Sequence, residues 1–301
     1  MKHIKHNKGK ILQIATECPI GVPTGFTKLD QIIRGFQPGY HVIGARPSVG
    51  KSSLAVGMLL RAAHSGYNSV FFSLEMKERI VMGRMAAYET GLSYKNIMHN
   101  RIPDDYKESL NQVDETLSNL PLYIDYTSRL KVGSIKHHLS KLKEYDIKPG
   151  IVFVDYIQRM YMENGNPANS AHEISEVSKG LCDIAHEFDC PMVVLSQLNR
   201  ETMNASNSDM KKFYSRRPRM TDLKGSGAIE EDTDTLLLLH RPDYIRERED
   251  PNYENKGVQD AEIIINKNRN GACGVIECIW FPDVFKFFDE SILDRNKRKR
   301  A

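Results

Sequence analysis

The chain is poor in the features that mark secreted, membrane-spanning and metal-stapled proteins. Across 301 residues no apolar run approaches the roughly 18 residues that a bilayer-spanning helix needs. The basic start, Lys2-His3-Ile4-Lys5, is not followed by the apolar stretch of a secretory signal. Cysteines are few and scattered at Cys18, Cys182, Cys190, Cys273 and Cys278. Their number is odd and no CxxC pair occurs, which argues against both a zinc site and a disulfide framework. Thiols in a reducing compartment fit better, and a cytoplasmic location is expected. The 10 histidines show no metal-ligand spacing, and no internal repeat or low-complexity tract is evident. Charge of one sign is also lacking: 42 basic and 39 acidic residues leave a net +3, too little to argue for nucleic acid unless local clusters do so.

What is present is an ordinary globular balance, 40% hydrophobic and 27% charged. The length suits one large domain or two small ones. Apolar strands are expected at 40–44, 69–74, 121–125, 151–155, 192–196, 235–239, 261–266 and 275–280, and amphipathic helices at 52–65, 76–89, 104–118, 132–145 and 172–188. This alternation predicts an α/β fold with a mostly parallel central sheet flanked by helices. The last two strands have no helix between them and Asn270-Gly271 lies near their junction, which predicts a C-terminal β-hairpin at the sheet edge.

The most telling segment is Ala45-Arg46-Pro47-Ser48-Val49-Gly50-Lys51-Ser52, followed by Ser53 and an apolar helix. It has the pattern of a phosphate-binding loop, with Ala45 where the strict pattern has glycine. A short apolar strand precedes it. Strand, loop and helix together aim backbone N–H groups and a helix N-terminus at phosphate oxygens. Lys51 would reach the β- and γ-phosphates, and the Ser52 hydroxyl would bind Mg²⁺.

Three further strands end in polar groups. Ile151–Asp155 ends in a carboxylate, which in phosphate-loop enzymes holds Mg²⁺ directly or through water. Phe71-Phe72-Ser73-Leu74 ends at Glu75, which could orient or deprotonate an attacking water, or merely cap the next helix. Val193-Val194-Leu195-Ser196 ends at Gln197, a neutral amide able to sense a γ-phosphate by hydrogen bonding, or an ordinary strand-end polar residue. Lys267 and Arg269 alternate, so both can face one side; they are either phosphate-neutralising cations or solvated ones beside a hairpin. The segment 200–224 carries Arg200, Lys211, Lys212, Arg216, Arg217, Arg219 and Lys224 against Glu201, Asp209 and Asp222, with Phe213 and Tyr214 interleaved. That is the composition of a surface that tracks a single-strand backbone and stacks bases, or of a solvated loop.

These segments, in order, resemble the C-terminal motor domain of DnaB-type replicative DNA helicases. The likeness rests on Pro23–Asp30, Ala45–Ser52, Phe72–Met76, Val154–Gln158, Ser196–Arg200, Asp222–Asp234 and Lys267–Gly271, and covers about residues 20 to 288. It implies a RecA-like core, with ATP and Mg²⁺ as cofactors, and a homo-oligomeric, hexameric ring that moves along single-stranded DNA. In that resemblance Glu75 is the catalytic base, Asp155 the Mg²⁺ carboxylate and Gln197 the sensor. Arg269 is a finger acting across the subunit boundary, with Lys267 beside it. Arg200, Arg217, Lys224, Gly225 and Gly227 would contact DNA, through backbone N–H groups that bind phosphates without reading sequence. Such family members usually have Arg then Glu where this chain has Lys224-Gly225; lysine keeps the charge but loses the fork. The domain expectation is an arm or linker-helix remnant at 1–20, a motor at 21–290 and a basic tail at 291–301. The family's helical N-terminal domain has no counterpart here, so primase binding through it is not implied, although a loader protein or primase remains a candidate partner. Alternative functions are a RecA-like recombination or repair ATPase, and a nucleotide-binding ring scaffold without unwinding activity.

Overall fold

The computed structural model describes residues 20–164, 167–168, 170–198, 216–223, 226–244 and 257–289, the side chains of 226 and 228 excepted. Among these, nine strands form one sheet: β1 Gly39–Ala45, β2 Ser69–Ser73, β3 Leu122–Asp125, β4 Ile151–Asp155, β5 Pro191–Gln197, β6 Thr235–His240, β7 Gln259–Asn268, β8 Gly274–Phe281 and β9 Lys286–Asp289. Their spatial order is β3-β2-β4-β5-β1-β6-β7-β8-β9. The first six are parallel to one another, and β7, β8 and β9 continue the sheet in antiparallel fashion. The helices are α1 Thr27–Ile33, α2 Lys51–His64, α3 Glu78–Thr90, α4 Tyr94–Met98, α5 Asp104–Asn119, α6 Val132–Glu144, α7 Ala171–Phe188 and α8 Ser226–Asp232.

The strand sequences explain the layering. Along each central strand, alternate side chains enter opposite cores, as the pleat requires. Ile43, Phe71, Phe153, Val193, Leu195 and Leu237 pack on the face that carries α2. Val42, Phe72, Val154, Val194 and Leu238 pack on the face that carries α6 and α7. Both faces being covered, these strands read as unbroken apolar runs. The second face is pinned by a buried hydrogen bond from Ser178 Oγ on α7 to Tyr40 Oη, 3.0 Å. α7 itself opens with a capping box, in which Ser170 Oγ accepts from Glu173 N–H and the Glu173 carboxylate accepts from Ser170 N–H.

Two sequence expectations are corrected. The β7–β8 hairpin is not the sheet edge, because β9 pairs with β8 outside it. Four residues, Lys286-Phe287-Phe288-Asp289, are too few to show a period, yet Phe287 and Asp289 turn inward and are buried. The helix expected from residue 76 begins at Glu78 with Lys77 as its N-cap, so Glu75 does not cap it.

Chain order places the crevice. β1 lies between β5 and β6, while β2, the next strand in sequence, lies beyond β5 and β4. Connections leaving β1, β4 and β5 therefore diverge at their carboxyl ends, where ligands settle in open α/β sheets.

Candidate active site

The loop after β1 is built by two left-handed residues, Ser48 at φ 62° and Gly50 at φ 111°. Gly50 is required twice over: a side chain would be strained at that φ, and its Cβ would lie 2.9 Å from Phe287 Cζ. α2 then starts at Lys51. The loop borders a cavity of about 460 Å³, whose wall includes Arg46, Pro47, Ser48, Gly50, Lys51, Ser52, Ser53, Glu75 and Gln197. Thus the ends of β1, β2 and β5 are brought to one place. Of the expected loop residues, Ala45 and Val49 are buried and do not form this wall.

Asp155 sits behind the wall. It is fully buried, and its Oδ1 accepts from Lys51 Nζ at 2.7 Å. Lys51 Nζ also lies 4.6 Å from the ring centre of Tyr156, which follows Asp155 through a cis peptide. Asp155 Oδ2 is buried and has no hydrogen-bond partner among the described residues. A carboxylate oxygen in that state wants a cation or a donor. Among the described residues no cluster of three or more His, Cys, Asp or Glu side chains could hold a metal.

Gln197 is held by a residue for which the sequence suggested no role. β4 and β5 pair only as far as Val154 and Val194. Beyond that point the Gln158 side chain takes over: its Oε1 accepts from Gln197 N–H at 3.1 Å, and its Nε2 donates to Gln197 O at 3.1 Å and to Ser196 Oγ at 2.9 Å. Glu75 is exposed at the cavity rim.

Three further lining residues were also missed. Arg84, Trp280 and Phe285 line the same cavity. The Arg84 guanidinium lies 4.6 Å above the Phe285 ring and donates to Ser53 Oγ at 3.3 Å. Burial lowers its pKa, with nearby Tyr94, Asp155 and Glu75 opposing. Trp280 packs on Phe287, ring centres 4.3 Å apart. No motif marks these residues; only the late strands, folded back onto the loop, assemble them.

Lys267 and Arg269 are not brought to this cavity. Lys267 lies at the end of β7 and Arg269 just beyond it; Asn268 between them pairs with Thr235, which pairs with His41 near the start of β1. From His41 to the loop is about 13 Å of strand. Arg269 Nη1 instead meets Asp234 Oδ1 at 3.1 Å, and Lys267 Nζ donates to Glu230 O. Arg217 makes a two-pronged pair with Glu262, both distances 2.7 Å. Gly227 lies in α8. Arg200, Lys224 and Gly225 lie outside the described residues, as do residues 1–19 of the expected arm at 1–20 and the tail at 291–301.

A family model for the DnaB-like helicase C-terminal domain matches residues 21–289. The chain belongs to that family. Among curated relatives, the replicative DNA helicase DnaB of Geobacillus stearothermophilus is 33% identical over 280 residues, covering 90% of this chain and 58% of that protein. The replicative DNA helicase DnaC of Bacillus subtilis is 34% identical over 269 residues, covering 89% of this chain and 56% of that protein. The chain therefore spans somewhat over half the length of these relatives. A solved ATPase domain superposes with a TM-score of 0.80 at 26% identity, covering 96% of this chain and 99% of that one. A DnaB-like replicative helicase, solved in a study of its interactions with primase, gives a TM-score of 0.78 at 26% identity, covering 96% of this chain and 67% of that one. As in the DnaB-like fold, the core here is a mostly parallel sheet with helices on both faces and antiparallel strands at its C-terminal side.

Proposed function

We propose that this DnaB-like domain is an ATP-hydrolysing motor that moves on single-stranded DNA, unwinds duplex, and works as a hexameric ring. The observation that carries the reading is a split of charge. The phosphate cradle, with its buried Lys51–Asp155 pair, lies at one edge of the sheet, and the cations Lys267 and Arg269 lie at the other. A single chain thus holds a cradle without these cations, and a ring would bring one subunit's Arg269 to its neighbour's cradle.

In this reading the loop N–H groups and the α2 N-terminus bind the phosphates of ATP. Lys51 draws on the β- and γ-phosphate charge, exchanging part of its pairing with Asp155. The oxygen-only donors Ser52 and Asp155, the latter with its unpartnered Oδ2, suit Mg²⁺. When bound, that ion neutralises charge developing on the phosphate oxygens. Glu75, exposed at the rim, accepts a proton from the attacking water, and Gln197 donates its amide to the γ-phosphate. Arg200, Arg217, Lys224, Gly225 and Gly227 would meet the DNA backbone; Arg217 does so only by giving up Glu262. A loader protein or primase is a candidate partner. No helix among the described residues is long and apolar enough to cross a membrane.

Steady-state ATP hydrolysis with and without single-stranded DNA, across protein concentration, tests this. Stimulation by DNA that sets in above a threshold concentration is expected. Hydrolysis indifferent to both would overturn the ring-motor reading.

A further inference from the structure

Arg46 belongs to the phosphate loop by sequence, but its guanidinium is engaged with a different segment. The residue is 2% exposed. Its Nη2 donates to the Arg216 carbonyl at 2.8 Å, and its Nη1 lies 3.5 Å from His240 Nδ1. Arg216 in turn forks onto Asp222, Nη1 to Oδ2 at 2.9 Å and Nη2 to Oδ1 at 2.6 Å. Asp222, 5% exposed, also accepts from Arg219 N–H at 2.8 Å. The next residue, Leu223, forms an antiparallel bridge with Leu198, whose N–H donates to Ala45 O at 3.0 Å. The segment 216–223 is thereby fastened to the loop at one end and to the ends of β1 and β5 at the other. It leads directly into Lys224-Gly225.

We propose that Asp222 and Arg216 are positioning residues that couple the nucleotide cradle to the DNA-contacting loop, an inference that rests on the motor reading above. Arg46 is followed by Pro47, whose ring fixes φ, so a shift of the loop around phosphate carries Arg46 with it rather than being absorbed next to it. The pull falls on the Arg216 carbonyl. The Arg216–Asp222 fork is charge-assisted and two-pronged, with its Asp222 end buried, so it resists breaking, and the segment moves as a unit. Leu223 is joined directly to Lys224, so it passes that movement on to the loop. By reciprocity, DNA that displaces the loop alters the cradle's hold on nucleotide by the same factor.

The test measures that factor. The affinity of the full chain for a fluorescein-labelled oligothymidylate is read by anisotropy with and without a non-hydrolysable ATP analogue. The chain's one tryptophan, Trp280 in the cavity wall, reports analogue binding by fluorescence. Wild type should show a ratio of about 5- to 150-fold between the two DNA affinities. Asp222→Asn and Arg216→Gln should each bring the ratio to within about twofold of unity, with analogue affinity in the absence of DNA changed less than about twofold. Variants that keep the wild-type ratio, even with weaker DNA binding overall, would show structural support alone and overturn the inference. A wild-type ratio near unity would remove the motor reading, and the inference with it. Should Asp222→Asn fail to fold, Arg216→Gln decides, since that side chain is 36% exposed and its loss leaves no large cavity.

Discussion

The two edges of the central sheet treat their charges in opposite ways. At the carboxyl edge Lys51 and Asp155 are almost fully withdrawn from water, 10% and 0% exposed, and are committed to each other. At the other edge the Arg269 side chain is 61% exposed, and its contact with Asp234 is the kind of surface pair that contributes little. A buried pair is costly to break from one side, whereas an exposed one is easily exchanged for a better partner. The first edge is therefore built to act within the chain. The second keeps its cations available for something outside it.

The largest effect expected from breaking this contrast is at Lys51. Lys51→Ala removes the cation at the phosphates and leaves Asp155 buried and unpaired. ATP turnover should fall by at least about 10³-fold, the scale at which phosphate-stabilising cations act, and thermal stability should fall too. A clean preparation that still turns over would remove the phosphate-loop assignment. Arg269→Ala should lower turnover by about 10³-fold while leaving the melting temperature unchanged, because the side chain is exposed. Mixing it with Glu75→Gln subunits should restore activity above either variant alone, since each supplies what the other lacks. If no ratio of the two gives rescue, Arg269 does not act across a boundary.

A smaller effect is expected at Gln158. Without its side chain, Ser196 and Gln197 lose three hydrogen bonds that restrain them beyond the end of strand pairing. Gln158→Ala should lower kcat by roughly tenfold with little change in KM for ATP, as small misplacements of a positioned group do. A change confined to KM would show that Gln158 supports binding instead.

Gln158 also marks where the sequence stops being legible. The central strands of the parallel half were readable to within a residue or two, because burial on both faces leaves unbroken apolar runs that lead to Glu75, Asp155 and Gln197. The phosphate loop was readable because its glycine, lysine and serine are dictated by backbone geometry. Gln158 closes the matching segment Val154–Gln158, but nothing in that segment says what it holds: it follows a strand in a short turn, and its task is set by where β5 happens to end. Arg84, Trp280 and Phe285 meet only because β8 and β9 fold back across the loop, and no local spacing encodes that return. Arg46 was legible as a loop residue but not in its direction, which depends on a carbonyl 170 positions away.

The smallest effect sharpens the contrast through pH. His240 ends β6 beside Arg46, and burial, aided by the Arg46 charge, pushes its pKa down to about 4. At the opposite edge His41 is also buried and shifted down by burial, with its hydrogen bond to the Gln37 carbonyl and the Asp234 charge opposing. In both, the unfolded chain binds a proton more readily than the folded one, so stability is full above the unfolded value near 6.5 and is lost as pH falls toward the folded value. For His240 the loss should be nil at pH 7.5 and about 1 kcal/mol by pH 5.5. Denaturant unfolding across that range should show stability falling, and His240→Gln should flatten part of the slope. His41→Gln should flatten a separate part, because the two histidines lie at opposite ends of adjacent strands and titrate without contact. A slope unchanged by His240→Gln would mean that the ring tolerates its proton beside Arg46, and that the carboxyl edge is more open to water than its burial implies.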